Sequence, residues 1–420
     1  MVRAMVVGAL CVAMSVQAQE PPDSLTLTRD QAIAQALTAN PLLEIAREQV
    51  EQARARGTQA SAFPDPDIAA DFAGLSKPFR PGTRTGSDLS VGITVPFPQK
   101  LLLQGSAGRA DVRSAQFAYE QQRQAVVAGT AQAYDALLVA QRHGRDLADA
   151  RTLAADFLQR TEARFAGGTV PRIDVIKARV DLAQAENDRI ANERDQANAR
   201  SALNRAMGRL LRLPVTPADS LSVPPPAGAL DSLVSVALAM RPELRGLDAE
   251  RSGARSSAAL AQQYFLPDLS LSVEKNVVYG TPDEYTVGLG FSVPLFFWNH
   301  QRGEVAEARH HVRELDATYR DLEAGVEQDV RTAWASADAA IRQATYLRDE
   351  LLPEAQHAYD IVAGSYALGG SSALDVLDAK RTLLDAENQY AEALGAANDA
   401  VFQLRLAVGD PVGTIAGDSR

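Results

Sequence analysis

The sequence predicts an α+β membrane protein built from a duplicated unit of helix, strand, strand, helix and helix. Three observations support this: landmarks that recur about 200 residues apart, long proline-free segments of helix-forming composition, and ten-residue segments in which apolar and small or polar residues alternate. The 420-residue chain is 46% apolar but only 6% aromatic, which favours long helices over a compact β core. Its net charge of −11 argues against nucleic-acid binding, which needs a basic face.

The N-terminus has the features of a secretory signal peptide. Arg3 precedes an apolar run over residues 4–16, and the small residue Ala18 ends a plausible cleavage site. We therefore predict that residues 1–18 are removed. The only cysteine, Cys11, lies in this segment, and the bulky Leu10 before it disfavours lipid attachment. The mature chain would then contain no disulfide.

The two halves of the remaining chain carry the same landmarks in the same order. This duplication predicts a first repeat over residues 19–209, a proline-rich linker over 210–229, a second repeat over 230–409 and a C-terminal tail over 410–420. The paired landmarks are Asn40-Pro41 with Arg241-Pro242, Pro66-Asp67-Ile68 with Pro267-Asp268-Leu269, Val95-Pro96-Phe97 with Val293-Pro294-Leu295, Asp174-Val175-Ile176 with Asp375-Val376-Leu377, Ala185-Glu186-Asn187 with Ala386-Glu387-Asn388, and Gly208 with Gly409.

Each repeat is predicted to contain the same elements. The first helix begins at a capping-box pattern, Thr28 to Gln31, and is interrupted at Pro41. The next helix has no proline over residues 99–165, which allows a length of ~100 Å. In the first repeat we predict helices over 28–62, 99–165 and 173–207 and strands over 66–75 and 87–97. In the second we predict helices over 231–265, 299–366 and 373–408 and strands over 268–278 and 284–296.

The strands carry an apolar face and a small or polar face. This pattern is typical of transmembrane β-strands, although an antiparallel sheet on a soluble core also alternates. The secretion signal favours the membrane. Four strands are too few for a closed barrel, and lipid does not tolerate open edges, so several chains must share one barrel. Three chains would supply 12 strands. Aromatic residues near the strand ends would form the membrane-interface girdle: Phe63, Phe265, Phe296 and Trp298.

With this architecture in place, the chain resembles the TolC family of outer-membrane efflux channels. The resemblance implies a homotrimer in which a 12-stranded barrel in outer-membrane lipid continues as a long α-helical barrel across the periplasm. It also implies a periplasmic adaptor and an inner-membrane pump as partners. The junction 96–101 resembles channels that work with pumps of the resistance-nodulation-division type. The similar segments are Ala39-Asn40-Pro41-Leu42-Leu43, Gln49-Val50-Glu51-Gln52-Ala53, Arg164-Phe165-Ala166-Gly167-Gly168, Ser365-Tyr366-Ala367-Leu368-Gly369 and Leu374-Asp375-Val376-Leu377-Asp378-Ala379.

Two aspartates are the predicted pore gate. Asp375 and Asp378 are three residues apart on a predicted helix and share a face. In a trimer they would form a ring of carboxylates that attracts cations, and their repulsion should raise some of their pKa values. The alternative is a solvated helix face. The resemblance implies that the periplasmic constriction uses aspartates at these motif positions.

The same resemblance implies a latch that holds the closed tip. Asp174 and Tyr366 match its aspartate and tyrosine. Ser371 stands where an arginine is expected, so the closed state would be held differently, and Lys177 is a further latch candidate that could pair with Asp375 or Asp378. The predicted adaptor-docking tips are Gly167, Gly168, Gly369 and Gly370.

The predicted function is passive export, with no catalytic residues, no cofactor and no metal site. His310 and His311 are adjacent and point in different directions from a helix, which is unsuited to one metal. The duct would export small solutes such as metal cations or drugs. Two alternatives remain open: the outer channel of a type I protein secretion system, and a soluble periplasmic adaptor or scaffold built from a helical hairpin.

Overall fold

A computed structural model describes residues 25–73, 86–226, 228–278, 280–292 and 297–410, with side chains described from residue 301 in the last range. The predicted signal segment, Phe296 and the chain beyond residue 410 lie outside these residues, as does the side chain of Trp298.

The described chain is mostly helical and repeats one element order. The first half contains β1 (Leu25–Leu27), α1 (Arg29–Ala39), α2 (Pro41–Ala60), β2 (Asp67–Ala73), β3 (Gly86–Val95), α3 (Pro98–Ala166) and α4 (Arg172–Ala206). The second half contains β4 (Val215–Pro217), α5 (Leu230–Met240), α6 (Pro242–Gln262), β5 (Asp268–Val278), β6 (Glu284–Ser292), α7 (Phe297–Tyr346), a π-helical turn (Leu347–Leu351), α8 (Leu352–Ala367) and α9 (Ala373–Val408).

Local capping explains where the first helices begin. The Thr28 side chain accepts a hydrogen bond from the backbone of Gln31, whose side chain accepts one from the Thr28 backbone, so the predicted capping box forms. Asn40 then ends α1 and caps α2 by accepting a hydrogen bond from Leu42, with Pro41 at the first helical position. The predicted interruption at Pro41 is therefore a restart between two helices.

The second long helix differs from its prediction. Instead of one helix over 299–366, the structure has α7 and α8 separated by the π-helical turn. Pro353 follows that turn, and proline cannot donate the backbone hydrogen bond that a continuous α-helix requires. Its counterpart α3 has no proline after its first residue and continues for 69 residues, ~100 Å.

A four-stranded antiparallel sheet has the order β2-β3-β5-β6 and so joins the two repeats through β3 and β5. The first repeat's second strand, predicted over about 87–97, spans Gly86–Val95. β3 ends at Val95 because Phe97 is already the N-cap of α3. One face of the sheet is apolar and remains exposed in the single chain; Val287 is 69% exposed and Leu289 67%. Both β2 and β6 are edge strands of this sheet.

Several buried clusters of side chains join the helices along their length. Midway along the helical body, Tyr134, Leu137, Leu203 and Met207 form a buried core beside the parallel pair β1–β4. Near the hairpin tips, a second core brings together α3, α4, α8 and α9. Among the described residues, no helix combines the length and the apolar content that a bilayer-crossing helix needs.

Candidate gate at the helical tips

Two short turns close the helical hairpins and have the same backbone design. Gly168 and Gly369 adopt positive φ values of 75° and 87°, a conformation that favours glycine. In each turn the residue after this glycine donates a backbone hydrogen bond to a carbonyl five residues earlier: Thr169 to Arg164 at 3.0 Å and Gly370 to Ser365 at 2.8 Å. The predicted docking tips are therefore two turns with matching backbone hydrogen bonds. Adaptor binding to them stays a prediction.

The first predicted gate aspartate has a local structural role. Asp375 is at the third position of α9, and its carboxylate accepts hydrogen bonds of 2.8 Å from both the backbone N–H and the hydroxyl of Ser372. The Ser372 hydroxyl in turn accepts a hydrogen bond from the Asp375 backbone. This capping box starts α9 immediately after the tip turn. The first-repeat helix α4 begins without a side-chain cap.

The capping box also affects the charge of Asp375. The expected rise in some of the gate pKa values concerns carboxylates of several copies and stays a prediction. In the chain, hydrogen bonds from the backbone and then the side chain of Ser372 lower the pKa of Asp375. Asp375 is therefore held ionised.

The second predicted gate aspartate, Asp378, has no such contacts among the described residues. Asp378 is exposed one helical turn beyond Asp375, as the three-residue spacing predicted. Within the described part of the chain its carboxylate makes no hydrogen bond or ion pair. Asp378 is thus the better probe of a charge effect in the pore, because its replacement disturbs no cap.

Tyr366 lies in the tip core of the single chain. It is 5% exposed, and its ring packs on Phe157 with a centroid distance of 5.6 Å. The guanidinium of Arg164 covers the ring at 4.3 Å and donates to the Tyr366 carbonyl at 2.6 Å. The Tyr366 hydroxyl is 3.4 Å from that of Thr161. Asp174 is not among its hydrogen-bonding partners in the described chain, so a latch between Asp174 and Tyr366 stays a prediction for contacts between copies.

Lys177 is not paired with the predicted gate aspartates in the described part of the single chain either. It is partly exposed on α4 and forms no ion pair with Asp375 or Asp378 within the described residues of one chain. Other residues form the ion pair that joins the two hairpins.

A buried ion pair joins the two hairpins, and the sequence reasoning missed it. The ammonium of Lys380 on α9 lies 2.7 Å from the carboxylate of Asp181 on α4, and the lysine side chain is only 3% exposed. A signal was present: Lys380 follows Ala373 and Val376 on the buried stripe of α9, where an apolar residue is expected. A lysine at a core position requires a carboxylate nearby.

The helix–strand junctions place the predicted interface aromatics at the surface. Phe63 is 69% exposed and Phe265 53%, each just before a strand. Close by, the ammonium of Lys100 lies 2.9 Å from Asp268, which also accepts a hydrogen bond from the backbone of Phe97. This ion pair joins the start of α3 to the start of β5. Lipid contact by the aromatic residues stays a prediction.

Comparison with known proteins shows which proteins share this arrangement. A family model described as "Outer membrane efflux protein" matches the chain twice, over residues 32–209 and 233–410. The cobalt-zinc-cadmium resistance protein CzcC of Cupriavidus metallidurans is 25% identical over 381 residues, which are 88% of this chain and 87% of that protein. The outer membrane protein TolC of Vibrio cholerae is 24% identical over 342 residues, 76% of each chain.

Solved structures show the same fold. The outer-membrane channel OprN superposes with a TM-score of 0.78 at 20% identity, covering 91% of this chain and 90% of that one. The CmeC outer membrane channel of Campylobacter jejuni gives a TM-score of 0.78 at 18% identity, covering 97% of this chain and 94% of that one.

Proposed function

We propose that this chain, which belongs to the outer membrane efflux protein family, forms with two further copies the outer-membrane exit duct of a tripartite efflux system. The family match to both halves of the chain carries this proposal. The duct works with a periplasmic adaptor and an inner-membrane pump, of the resistance-nodulation-division type on the resemblance of the 96–101 junction. It performs no bond chemistry; its working parts are a lumen and a gate.

The sheet supports the trimer through its number of strands. The described residues of one chain contribute four strands to it, with β2 and β6 at its edges. Small outer-membrane barrels begin at eight strands, so one chain cannot close and three give 12. The exposed apolar face then meets lipid.

The other face of the sheet supports a water-filled lumen. Its alternating positions are small or polar, and the carboxylate residues of the described strands lie on it. Asp71 and Asp88 are direct cross-strand partners, and Glu274 lies on the same face. Like charges that face each other are unfavourable unless water screens them. An acidic lumen favours cations over anions, which supports metal cations or cationic drugs as the exported solutes.

The tips are the proposed gate. Asp375 and Asp378 point away from the tip core, and three copies place six carboxylates around the periplasmic end of the duct. The two glycine turns are the proposed contacts for the adaptor, since they lie at the ends of the hairpins.

Single-channel recording in a planar bilayer tests this function. The detergent-purified protein should give small, cation-selective conductance steps. Asp375→Asn/Asp378→Asn keeps side-chain volume and the cap acceptor but removes the charge, and should lower cation selectivity. The matched control, Glu193→Gln/Asp195→Asn, removes two exposed charges from α4 ~30 Å from the tip and should leave selectivity unchanged.

If folded protein gave no channel conductance, the proposal of an exit duct would be overturned. Equal cation selectivity in wild type and in Asp375→Asn/Asp378→Asn would overturn only the proposal that these aspartates form the gate.

A further inference from the structure

The segment that follows α4 exposes an unusual combination of side chains. Leu210 is 65% exposed and Leu211 55%, and the arginines Arg205, Arg209 and Arg212 surround them in sequence. We call residues 205–212 the arginine–leucine segment. The chain has 53 acidic residues, yet none occurs between Gln196 and Ala218. The segment is therefore locally basic in a protein of net charge −11.

This segment is held in one conformation. The buried amide of Asn204 donates to the carbonyls of Leu211 at 3.1 Å and Leu213 at 2.8 Å. Gly208 has a φ of 69°, and a Cβ built there would overlap the carbonyl oxygen of Ala39. Leu210 and Leu211 are thus presented to solvent by a fixed backbone. A fixed surface loses little conformational entropy on binding.

The three arginines are available for binding. None of them forms a side-chain hydrogen bond or an ion pair within the described residues, whereas Arg189 and Arg251 each bind two carboxylates. Arg205 and Arg212 are exposed and Arg209 is half-buried, so guanidinium donors remain for an acceptor from outside the chain.

The second repeat shows that the architecture does not need this segment. Gly409 ends α9 as Gly208 ends the first repeat, but Leu406 and Asp410 stand at the positions that correspond to Arg205 and Arg209. The basic and apolar side chains are a property of one repeat only, which points to recognition and not to folding.

The position of the arginine–leucine segment along the helical body indicates which binding partner it can contact. The segment lies at the end of α4, whose 35 residues place it ~50 Å from the helical tip. It also lies beside the core that contains Tyr134, and Tyr134 is ~50 Å along α3 from the first residue of that helix. In an outer-membrane protein with a periplasmic helical body, this is midway along the body, between the two membranes.

We propose that the arginine–leucine segment binds peptidoglycan. The peptide stems of this polymer carry carboxylates that guanidinium groups bind well, and alanine methyl groups that pack on exposed leucines. The polymer surrounds the periplasmic body on all sides, so three copies of the segment would engage it together, and weak single contacts would combine. An acidic periplasmic protein is the alternative occupant. The proposal does not depend on which solute the duct exports.

Co-sedimentation of the detergent-purified protein with purified peptidoglycan sacculi tests the proposal. Wild type should sediment with sacculi at low salt and dissociate as salt rises. Arg209→Gln/Arg212→Gln should reduce the bound fraction at least fivefold, and Leu210→Ser/Leu211→Ser should reduce it severalfold. The matched control, Arg331→Gln/Arg342→Gln, removes the same charge from exposed positions of α7 and should bind like wild type.

Sacculi whose carboxylates have been amidated should no longer bind wild type. Circular dichroism and the oligomeric state of each variant confirm that it has folded. Failure of folded wild type to sediment, equal binding by the Arg209/Arg212 variant, or undiminished binding to amidated sacculi would each overturn the proposal. A photo-crosslinker at position 210 that labels a protein and not the wall polymer in cells would also overturn it, in favour of the acidic protein.

Discussion

The buried ion pair between Lys380 and Asp181 should brace the two hairpins of one chain against each other. Removing one member of a buried pair costs about 3–5 kcal/mol, because it leaves an uncompensated charge. Asp181 is 27% exposed, so water already shares in its solvation, and for Asp181→Ala we expect about 2 kcal/mol. Lys380→Met removes the buried charge and keeps the volume; its expected cost is below about 1 kcal/mol.

Hydrogen exchange measured by mass spectrometry on the detergent-purified protein separates these cases. A loss of about 2 kcal/mol corresponds to exchange about 30-fold faster for amides at the start of α4 and α9 that open when the hairpins part. Lys380→Met, alone or combined with Asp181→Ala, should stay within about fivefold of wild type. Glu162→Ala is the matched control, since Glu162 and Arg179 lie 2.7 Å apart in the same region but are 45% and 66% exposed. Such exposed pairs contribute little, so exchange should change less than about threefold.

Two results would refute the reasoning. Equal exchange rates in Asp181→Ala and Glu162→Ala would mean that burial does not distinguish the two pairs. A loss in Lys380→Met as large as that in Asp181→Ala would mean that Lys380 acts through its packing and not through its charge.

Three further predictions concern the cap, the turn after α4 and the sheet. The pKa of Asp375 is lower in the folded chain than in an unfolded one, so its stabilisation of the α9 start is complete above the unfolded pKa of about 4. This stabilisation is lost as the pH falls through the folded pKa. Amide hydrogen exchange at the tip should accelerate over that pH range, and should accelerate less in Asp375→Asn. Gly208→Ala should destabilise the protein by at least about 2 kcal/mol in thermal unfolding, whereas Gly129→Ala, at a helical position with open space, should be neutral or stabilising. On the apolar face of the sheet, Leu289→Arg should cost about 2–4 kcal/mol in folding into lipid vesicles, whereas Thr94→Arg, on the polar face, should be tolerated.

Much of the fold was predictable because its signals are local or repeated. The capping residues Thr28 and Asn40, the interruption at Pro41 and the glycine turns each act within a few residues. Alternation along β5 identified a two-faced strand over residues 268–278, and duplication checked each assignment in one half against the other. The π-helical turn before Pro353 escaped prediction, because a proline indicates a disturbance but not whether a helix bends, stops or widens.

The candidate site was less predictable because its contacts join distant parts of the chain. The residue pattern identified the face shared by Asp375 and Asp378, but not the neighbours of Tyr366 or the partner of Lys380. Arg164 and Tyr366 are about 200 residues apart, as are Asp181 and Lys380. Helical periodicity predicts which side of a helix is buried but does not predict which other helix packs on that side. Only the packing of α3, α4, α8 and α9 into one tip core determines these contacts, because it determines which charged side chains are buried next to each other.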